Sequence, residues 1–268
     1  MPQLRVRPHA PDSDGTVLEV TPASAGWEHV GFKVVQLQPG QQHGGRFADR
    51  ETCLVLVSGS ADIEAGGSSF ASVGGRVNPF EDKAPGAVYV PADVAFTVIA
   101  HSAVELAVCT APGSGAGKVR LIDGSQMSRE TRGKDANTRY VRNILPETET
   151  AEGLLVVEVI TPGGNWSSYP PHKHDTASES EETVLEETYY HRLQPPQGFA
   201  IQRVYTDDRS LDETISVEDG DVVMVPRGYH PVGAPHGYDL YYLNVMAGPH
   251  RHWVFRNDPA HDWIVRES

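Results

Sequence analysis

The chain has 268 residues, enough for one large or two ordinary domains, and its 22 Lys and Arg against 36 Asp and Glu give a formal net charge of −14. Because the excess charge is acidic and no basic stretch occurs, the sequence argues against nucleic acid and anionic membrane surfaces as partners. The 26 Gly and 20 Pro are dispersed between short runs of Val, Ile, Leu and Tyr, which is typical of an all-β fold with many turns.

The N-terminus and the cysteines predict the compartment. The first residues lack the apolar segment of a signal peptide, and no run approaches membrane-spanning length. Cys53 and Cys109 each lie in an apolar, strand-like run, so we expect buried free thiols rather than a disulfide. A cytoplasmic location is therefore expected.

The first half of the chain reads as a series of short strands separated by glycine turns. A break at Gly59 is expected to divide one long apolar run into two strands. The predicted strands are residues 15–20, 31–37, 51–58, 60–64, 87–90, 94–100 and 104–110. The polar segment 123–137 is the predicted connection between two domains.

The second half repeats this order of strands and turns. Its predicted strands are residues 139–144, 154–161, 188–193, 199–205, 214–217, 220–226 and 239–246, with a further strand around residues 172–174. The acidic insert 175–186 is charged and lacks periodicity, so we expect a solvated loop there. Both halves contain a strand that ends Val-Pro, at Val90-Pro91 and Val225-Pro226. We therefore predict two related β-barrels, residues 1–130 and 131–268, with metal held only by the second.

Two histidines in the second half suggest a metal site. His172 and His174 are two residues apart, so on a strand they point to the same face. Glu187 and His230, which follows a Pro-x-Gly-x-His turn, can complete the set. Imidazole with carboxylate suits zinc, manganese or iron and leaves positions open for substrate. The spacing alone leaves Glu182 and Glu186 as alternative carboxylates.

Longer runs in the second half resemble known enzymes. The two histidines, the glutamate and the turn histidine resemble the motifs of the cupin superfamily of small antiparallel barrels. Four longer runs resemble the 5-deoxy-glucuronate isomerases, which are related to the 4-deoxy-5-threo-hexosulose-uronate ketol-isomerases. These runs are residues 164–175, 187–192, 203–213 and 238–249, and the resemblance is dense from about residue 132 onward.

This resemblance implies a fold, a reaction and a ligand set. The fold would be all-β, two jelly-roll-like cupin barrels in tandem, a bicupin. The reaction would be the aldose–ketose isomerisation of 5-deoxy-D-glucuronate to 5-dehydro-2-deoxy-D-gluconate in inositol catabolism. The ligands of one divalent ion, zinc or manganese with iron or nickel as alternatives, would be His172, His174, Glu187 and His230. The acidic insert departs from the usual cupin spacing, and Glu187 is favoured because it directly precedes the aromatic run.

Strand alternation selects the catalytic candidates. If Glu187 points into the barrel, Tyr189 and His191 do so as well, and either could act as acid or base. Whether a proton or a hydride moves between the two carbons is left open.

The remaining candidates are substrate-binding residues. Arg203 is the first choice to bind the substrate carboxylate, because a guanidinium matches a carboxylate. Tyr242 and Asn244 share a face and could bind substrate hydroxyls.

Three other functions compete with the isomerase. A cupin dioxygenase would use a similar ligand set, and a non-enzymatic sugar-binding cupin would need no catalytic residues. A sugar-phosphate isomerase would need a second basic cluster near the ligands, which the sequence lacks. The partner expected in each case is a small molecule, here a sugar acid, and a homo-oligomer is left open.

Overall fold

The computed structural model describes residues 3–178 and 181–266 as a nearly all-β protein. The first half contains β1 (Arg5–Val6), β2 (Thr16–Val20), α1 (Pro22–Ala25), β3 (Gly31–Leu37), β4 (Gln42–Gly45), β5 (Arg50–Ala65), β6 (Ser68–Arg76), β7 (Gly86–Val90), β8 (Phe96–Ala100), β9 (Val104–Pro112), β10 (Arg120–Ile122) and β11 (Arg129–Arg132). A 3-10 helix (Asp135–Asn137) follows. The second half contains β12 (Arg139–Leu145), β13 (Leu155–Thr161), β14 (Trp166–Ser167), β15 (His172–Lys173), β16 (Asp175–Ser178), β17 (Glu182–Val184), β18 (Glu186–Gln194), β19 (Phe199–Tyr205), β20 (Asp212–Glu218), β21 (Val222–Val225), β22 (Val232–Gly233), β23 (Asp239–Ala247), β24 (Arg256–Asn257) and α2 (Trp263–Arg266).

The chain divides into two compact units, each built from discontinuous segments. The N-terminal unit comprises residues 8–128 and 143–156, and the C-terminal unit comprises the described residues of 1–7, 129–142 and 157–268. The predicted barrels 1–130 and 131–268 differ from these units by three short segments, residues 3–7, 129–130 and 143–156. The predicted division stays a prediction.

In the N-terminal unit the strands are arranged around the long strand β5. Its first part pairs with β7 and β9 and its second part with β6 and β8, with register shifts near Gly59. Gly59 has φ +85°, a conformation that glycine adopts readily. The predicted break at Gly59 is therefore a bulge within one continuous strand, and the prediction of two separate strands is wrong.

The cysteines of this unit are buried and free, as predicted. Cys53 on β5 and Cys109 on β9 are direct partners across the antiparallel pair. Burial raises the pKa of the Cys53 thiol to about 12, which leaves it protonated and unreactive.

In the C-terminal unit a seven-stranded sheet packs against a four-stranded sheet. The strand orders are β1-β21-β18-β23-β13-β12-β11 and β14-β22-β19-β20. Alternate residues of both sheets form one apolar core, including Val157 and Val223 from the first and Ala200, Val204 and Val217 from the second. This arrangement is the predicted cupin barrel, and its core surrounds the candidate site.

Strands occur in two polar segments, one predicted to connect the domains and the other predicted to be a solvated loop. The segment 123–137 contains β11, which extends the seven-stranded sheet. Within the acidic insert, β16 and β17 form an antiparallel pair, and Glu182 is buried, so the solvated-loop prediction is wrong for the described residues. Its residues 179–180 lie outside the described part of the chain. Glu182 is buried because its carboxylate accepts from the Lys173 ammonium at 3.1 Å and from the backbone N–H groups of Asp175 and Thr176.

The helices are short. Both α-helices span four residues, and no helix in residues 3–178 and 181–266 has the length and apolar character needed to cross a membrane.

Candidate metal centre

Three histidines from distant parts of the C-terminal unit converge in its core. His172 lies on β15, His174 follows it, and His230 comes after β21. One nitrogen from each ring lies within 4.8 Å of the others, and all three side chains are buried. The strand alternation inferred for His172 and His174 thus brings both imidazoles to one point, together with the turn histidine.

The turn after β21 depends on Gly228. This residue has φ +90°, and a Cβ there would lie 2.4 Å from the backbone oxygen of Tyr205. Its N–H donates to Asp175 Oδ2 at 2.9 Å, which anchors the turn. The next residue but one, His230, is therefore held in the core, as the Pro-x-Gly-x-His pattern indicates.

Glu187 is the carboxylate that the structure places at the histidines. Its Oε2 lies 3.1 Å from His174 Nε2 and 3.2 Å from His230 Nε2. Its other oxygen, Oε1, accepts a short hydrogen bond from the Asn244 amide. Of the alternatives left by the sequence, Glu182 binds Lys173, and Glu186 is the neighbour of Glu187 on β18, where strand alternation turns it to the opposite face.

The donor set fits a divalent metal. His174 Nδ1 lies 3.0 Å from the carbonyl of Leu185, and His230 Nδ1 lies 2.8 Å from the carbonyl of Gly228. A carbonyl only accepts, so each Nδ1 carries a proton, and in the neutral rings both Nε2 lone pairs face the Glu187 carboxylate. Among the described residues the buried His230 Nε2 has no hydrogen-bond partner. A cation between these acceptors would satisfy them, and imidazole with carboxylate suits zinc, manganese or iron.

Burial keeps two of these imidazoles in the neutral form that binds metals. Burial lowers the pKa of His230 to about 4 and the pKa of His172 well below its ordinary value. Burial also acts to lower the pKa of His174, but the Glu187 carboxylate outweighs it and raises that pKa. A neutral imidazole offers a lone pair to a metal, so His172 and His230 could bind one at neutral pH.

A cavity of about 280 Å³ adjoins this cluster, and we call it the site cavity. His172 and Glu187 contribute to its wall, so a molecule inside it would reach the group of three histidines and Glu187. Its lining combines charged, hydroxyl, amide and apolar groups: Arg132, Arg139, Val141, Val157, Val159, Ser168, His172, Glu187, Tyr189, Tyr242, Asn244, Trp253 and Phe255. This mixture suits a small polar ligand that carries a negative charge.

Two tyrosines supply hydroxyl groups to the cavity. Tyr189 OH lies 2.9 Å from Ser168 Oγ, and Tyr242 OH makes a short hydrogen bond with Ser167 Oγ. Burial raises the pKa of both phenols, so they are protonated at neutral pH. Each can therefore donate a hydrogen bond to an oxygen atom of a ligand. The sequence singled out both tyrosines but missed Ser167 and Ser168, although both directly precede the Tyr-Pro-Pro-His run.

The structure places His191 behind the cavity lining. Its ring is fully buried, lies 5.9 Å from the ring of Tyr189 and 6.1 Å from that of Tyr242, and its Nε2 lies 3.0 Å from Gln202 Oε1. Burial lowers the pKa of His191 to about 3. His191 therefore reaches the cavity through the two tyrosines.

The structure does not bring Arg203 to the site cavity. On β19 the side chains of Ala200, Gln202 and Val204 are buried, and Arg203 alternates to the other face. Its guanidinium makes a two-point ion pair with Asp212, at 2.8 and 2.7 Å, and lies over the Tyr205 ring. The arginines that line the cavity are Arg132 and Arg139, which the sequence analysis did not identify.

Comparison with known families and sequences gives close matches over the whole chain. The model of the KduI/IolB family matches residues 4–264. A protein from Geobacillus kaustophilus (strain HTA426) named 5-deoxy-glucuronate isomerase is 54% identical over 268 residues, which cover 100% of this chain and 97% of the relative. A protein of the same name from Bacillus subtilis (strain 168) is 49% identical over 250 residues, covering 93% of this chain and 92% of the relative.

Solved structures agree on the fold. An IolB-like protein from Salmonella typhimurium LT2 superimposes with a TM-score of 0.95 at 51% identity, covering 98% of this chain and 99% of that chain. Oxalate decarboxylase from Bacillus subtilis superimposes with a TM-score of 0.66 at 15% identity, covering 96% of this chain and 80% of that chain. The second similarity concerns the fold alone, and it supports the cupin architecture.

Proposed function

The chain belongs to the KduI/IolB family, and on that premise we propose that it is a metal-dependent isomerase that converts 5-deoxy-D-glucuronate to 5-dehydro-2-deoxy-D-gluconate in inositol catabolism. The proposal follows the name shared by relatives that match the full chain at about half identity. The observation that carries it is the site cavity, in which two buried tyrosine hydroxyls and two arginines adjoin a cluster of three histidines and a glutamate.

The residues that would hold the metal are His172, His174, Glu187 and His230. Zinc or manganese is the expected ion, with iron or nickel as alternatives, because imidazole and carboxylate accept all four. When bound, such an ion acts as a Lewis acid that polarises a substrate carbonyl and makes the neighbouring C–H acidic. Asn244 fixes the orientation of Glu187, so we assign it a positioning role in addition to lining the cavity.

Tyr189 is our candidate for proton transfer at the substrate oxygens. Its phenol is protonated, lines the cavity and is held by Ser168, so it can donate to an oxygen that gains negative charge. Tyr242 presents a second hydroxyl, and the two ring centroids lie 4.9 Å apart. His191 remains the other candidate, and it would act through these rings as a positioning residue.

Two further elements belong to the proposal. The tandem barrels would divide their roles, so that only the second holds metal. A cytoplasmic location fits the free thiols of Cys53 and Cys109, which persist in a reducing compartment.

The proposal is tested by incubating the metal-loaded protein with 5-deoxy-D-glucuronate in D₂O and following the aldehyde and ketone signals by NMR. We expect the aldehyde signal to be lost, the ketone signal to appear and deuterium to enter at C1, because a proton carried by a side chain exchanges with solvent. Turnover without deuterium incorporation would indicate a hydride shift instead of proton transfer. A metal-loaded protein without turnover would contradict the isomerase proposal, and oxygen consumption would then favour a cupin dioxygenase.

A further inference from the structure

Two arginines face each other across a strand pair at the site cavity. Arg132 on β11 and Arg139 on β12 are direct partners in the antiparallel register, and both line the cavity. Like charges directly opposite each other on neighbouring strands destabilise a sheet. The pair therefore creates a positive field that a bound anion would relieve.

The positive charge of Arg139 is less well neutralised than that of Arg132. Its Nη1 donates to two neutral acceptors, the carbonyl oxygens of Asn137 at 3.1 Å and of Tyr169 at 3.4 Å. No carboxylate in the described part of the chain lies within ion-pair distance of it, whereas Arg132 pairs with Glu130 at 2.8 Å and lies over the Trp253 ring. Burial lowers the pKa of Arg139, but a guanidinium stays protonated at neutral pH, so the charge is partly desolvated and needs a counter-ion.

A nearby arginine on the same strand has its charge neutralised by a carboxylate of the protein. Arg142 lies three residues after Arg139, on the other face of β12, and its Nη1 lies 2.6 Å from Glu158 Oε1. Here the sheet supplies the carboxylate. On the cavity face of the same strand, no carboxylate of the described residues pairs with Arg139. This contrast indicates that Arg139 binds the carboxylate of a ligand.

We infer that Arg139, assisted by Arg132, binds the terminal carboxylate of the sugar acid while the other end of the sugar reaches the metal cluster. The inference rests on the proposed function, because it takes a sugar acid as the ligand. One cavity connects Arg139 with His172 and Glu187, so a short carbon chain with a carbonyl at one end and a carboxylate at the other can reach both. The planar fork of a guanidinium suits two-point binding of a carboxylate.

The experiment compares two arginines with two ligands. The metal-loaded wild type and the variants Arg139→Met, Arg139→Lys and Arg203→Ala are titrated with D-glucuronate and with D-glucose, its neutral counterpart, by calorimetry. Steady-state constants for 5-deoxy-D-glucuronate are measured on the same samples. Arg139→Met keeps the apolar stem of the side chain, and unchanged metal content shows that the site is intact.

We expect Arg139→Met to weaken D-glucuronate binding and raise KM about 10- to 100-fold, the loss of one charged hydrogen bond. Binding of D-glucose and kcat should change little, and Arg139→Lys should recover part of the affinity. Arg203→Ala should match the wild type. An unchanged KM in Arg139→Met, an equal loss for both ligands, or a loss confined to Arg203→Ala would overturn the inference.

The same data separate this inference from the proposed function. D-glucuronate binding that depends on Arg139, in a protein without isomerase activity, would uphold the carboxylate site and refute the reaction. Isomerase activity with no dependence on Arg139 would uphold the reaction and refute the carboxylate site.

Discussion

Glu187 Oε2 lies 3.1 Å from Nε2 of His174. The proton on that imidazole is held at Nδ1 by a backbone carbonyl, so a lone pair and a carboxylate face each other inside the barrel. In the neutral ring no proton lies between these two acceptors, and a metal cation there would stabilise both. The same reasoning applies to His230, and it is the physical basis for assigning a metal to this barrel.

The metal ligands can be tested by substitution. We expect His172→Ala and His230→Ala to lose the bound metal and to lower isomerase activity by more than about 100-fold, since each removes a proposed ligand. Circular dichroism should show an intact β fold, because the barrel core is formed by other residues. Full turnover by both variants would rule out the metal role.

Asn244 is expected to act on Glu187. Asn244→Ala removes the amide that fixes the carboxylate and should weaken metal affinity about 10- to 100-fold. Competition with a fluorescent chelator measures this affinity. Asn143→Ala is the matched control, since Asn143 is also buried but binds Ser128 in the N-terminal unit. Equal metal affinity in the Asn244 variant and the wild type would show that Glu187 needs no support.

The Tyr189 hydroxyl is expected to contribute to kcat. Tyr189→Phe should lower kcat by about 10²- to 10⁴-fold if the phenol transfers a proton, with the metal content unchanged. Tyr241→Phe is the control, because Tyr241 lies next to the site residue Tyr242 on β23 but donates to Glu158 at 3.1 Å. A kcat that falls equally in both variants would indicate a loss of packing rather than a catalytic hydroxyl.

The buried, neutral His191 should make the folded protein less stable in acid. Its folded-state pKa of about 3 lies below its ordinary value of 6.5, so between these values the unfolded chain binds a proton that the folded chain does not. The free energy of unfolding must therefore fall as the pH drops below about 6.5, and this group alone contributes about 2 kcal/mol at pH 5. In His191→Gln the loss of stability between pH 7 and pH 5, measured by urea unfolding, should be smaller by about that amount. An identical loss in variant and wild type would contradict the buried neutral histidine.

The parts of the site that follow from strand geometry were predictable. The alternation of a strand places Glu187 and Tyr189 on one face, and both line the site cavity. The same rule could not assign Arg203, because nothing local to β19 reveals which face is the inner one. Its neighbours Gln202 and Val204 occupy that face.

The parts that depend on distant partners were not predictable. Glu182 lies in an acidic run that resembles a loop, and its burial depends on the ammonium of Lys173. Arg139 follows a polar segment, and only the antiparallel register of β11 and β12 sets it opposite Arg132 at the cavity. Charge and local pattern do not encode such pairings.

The central claim is that isomerase activity depends on a metal held by His172, His174, Glu187 and His230. Its most direct test is the rate of 5-deoxy-D-glucuronate isomerisation before and after chelation, with metal content read from the same sample. We predict that activity disappears with the metal and returns when Mn²⁺ or Zn²⁺ is added. Full activity in the metal-free protein would contradict the claim.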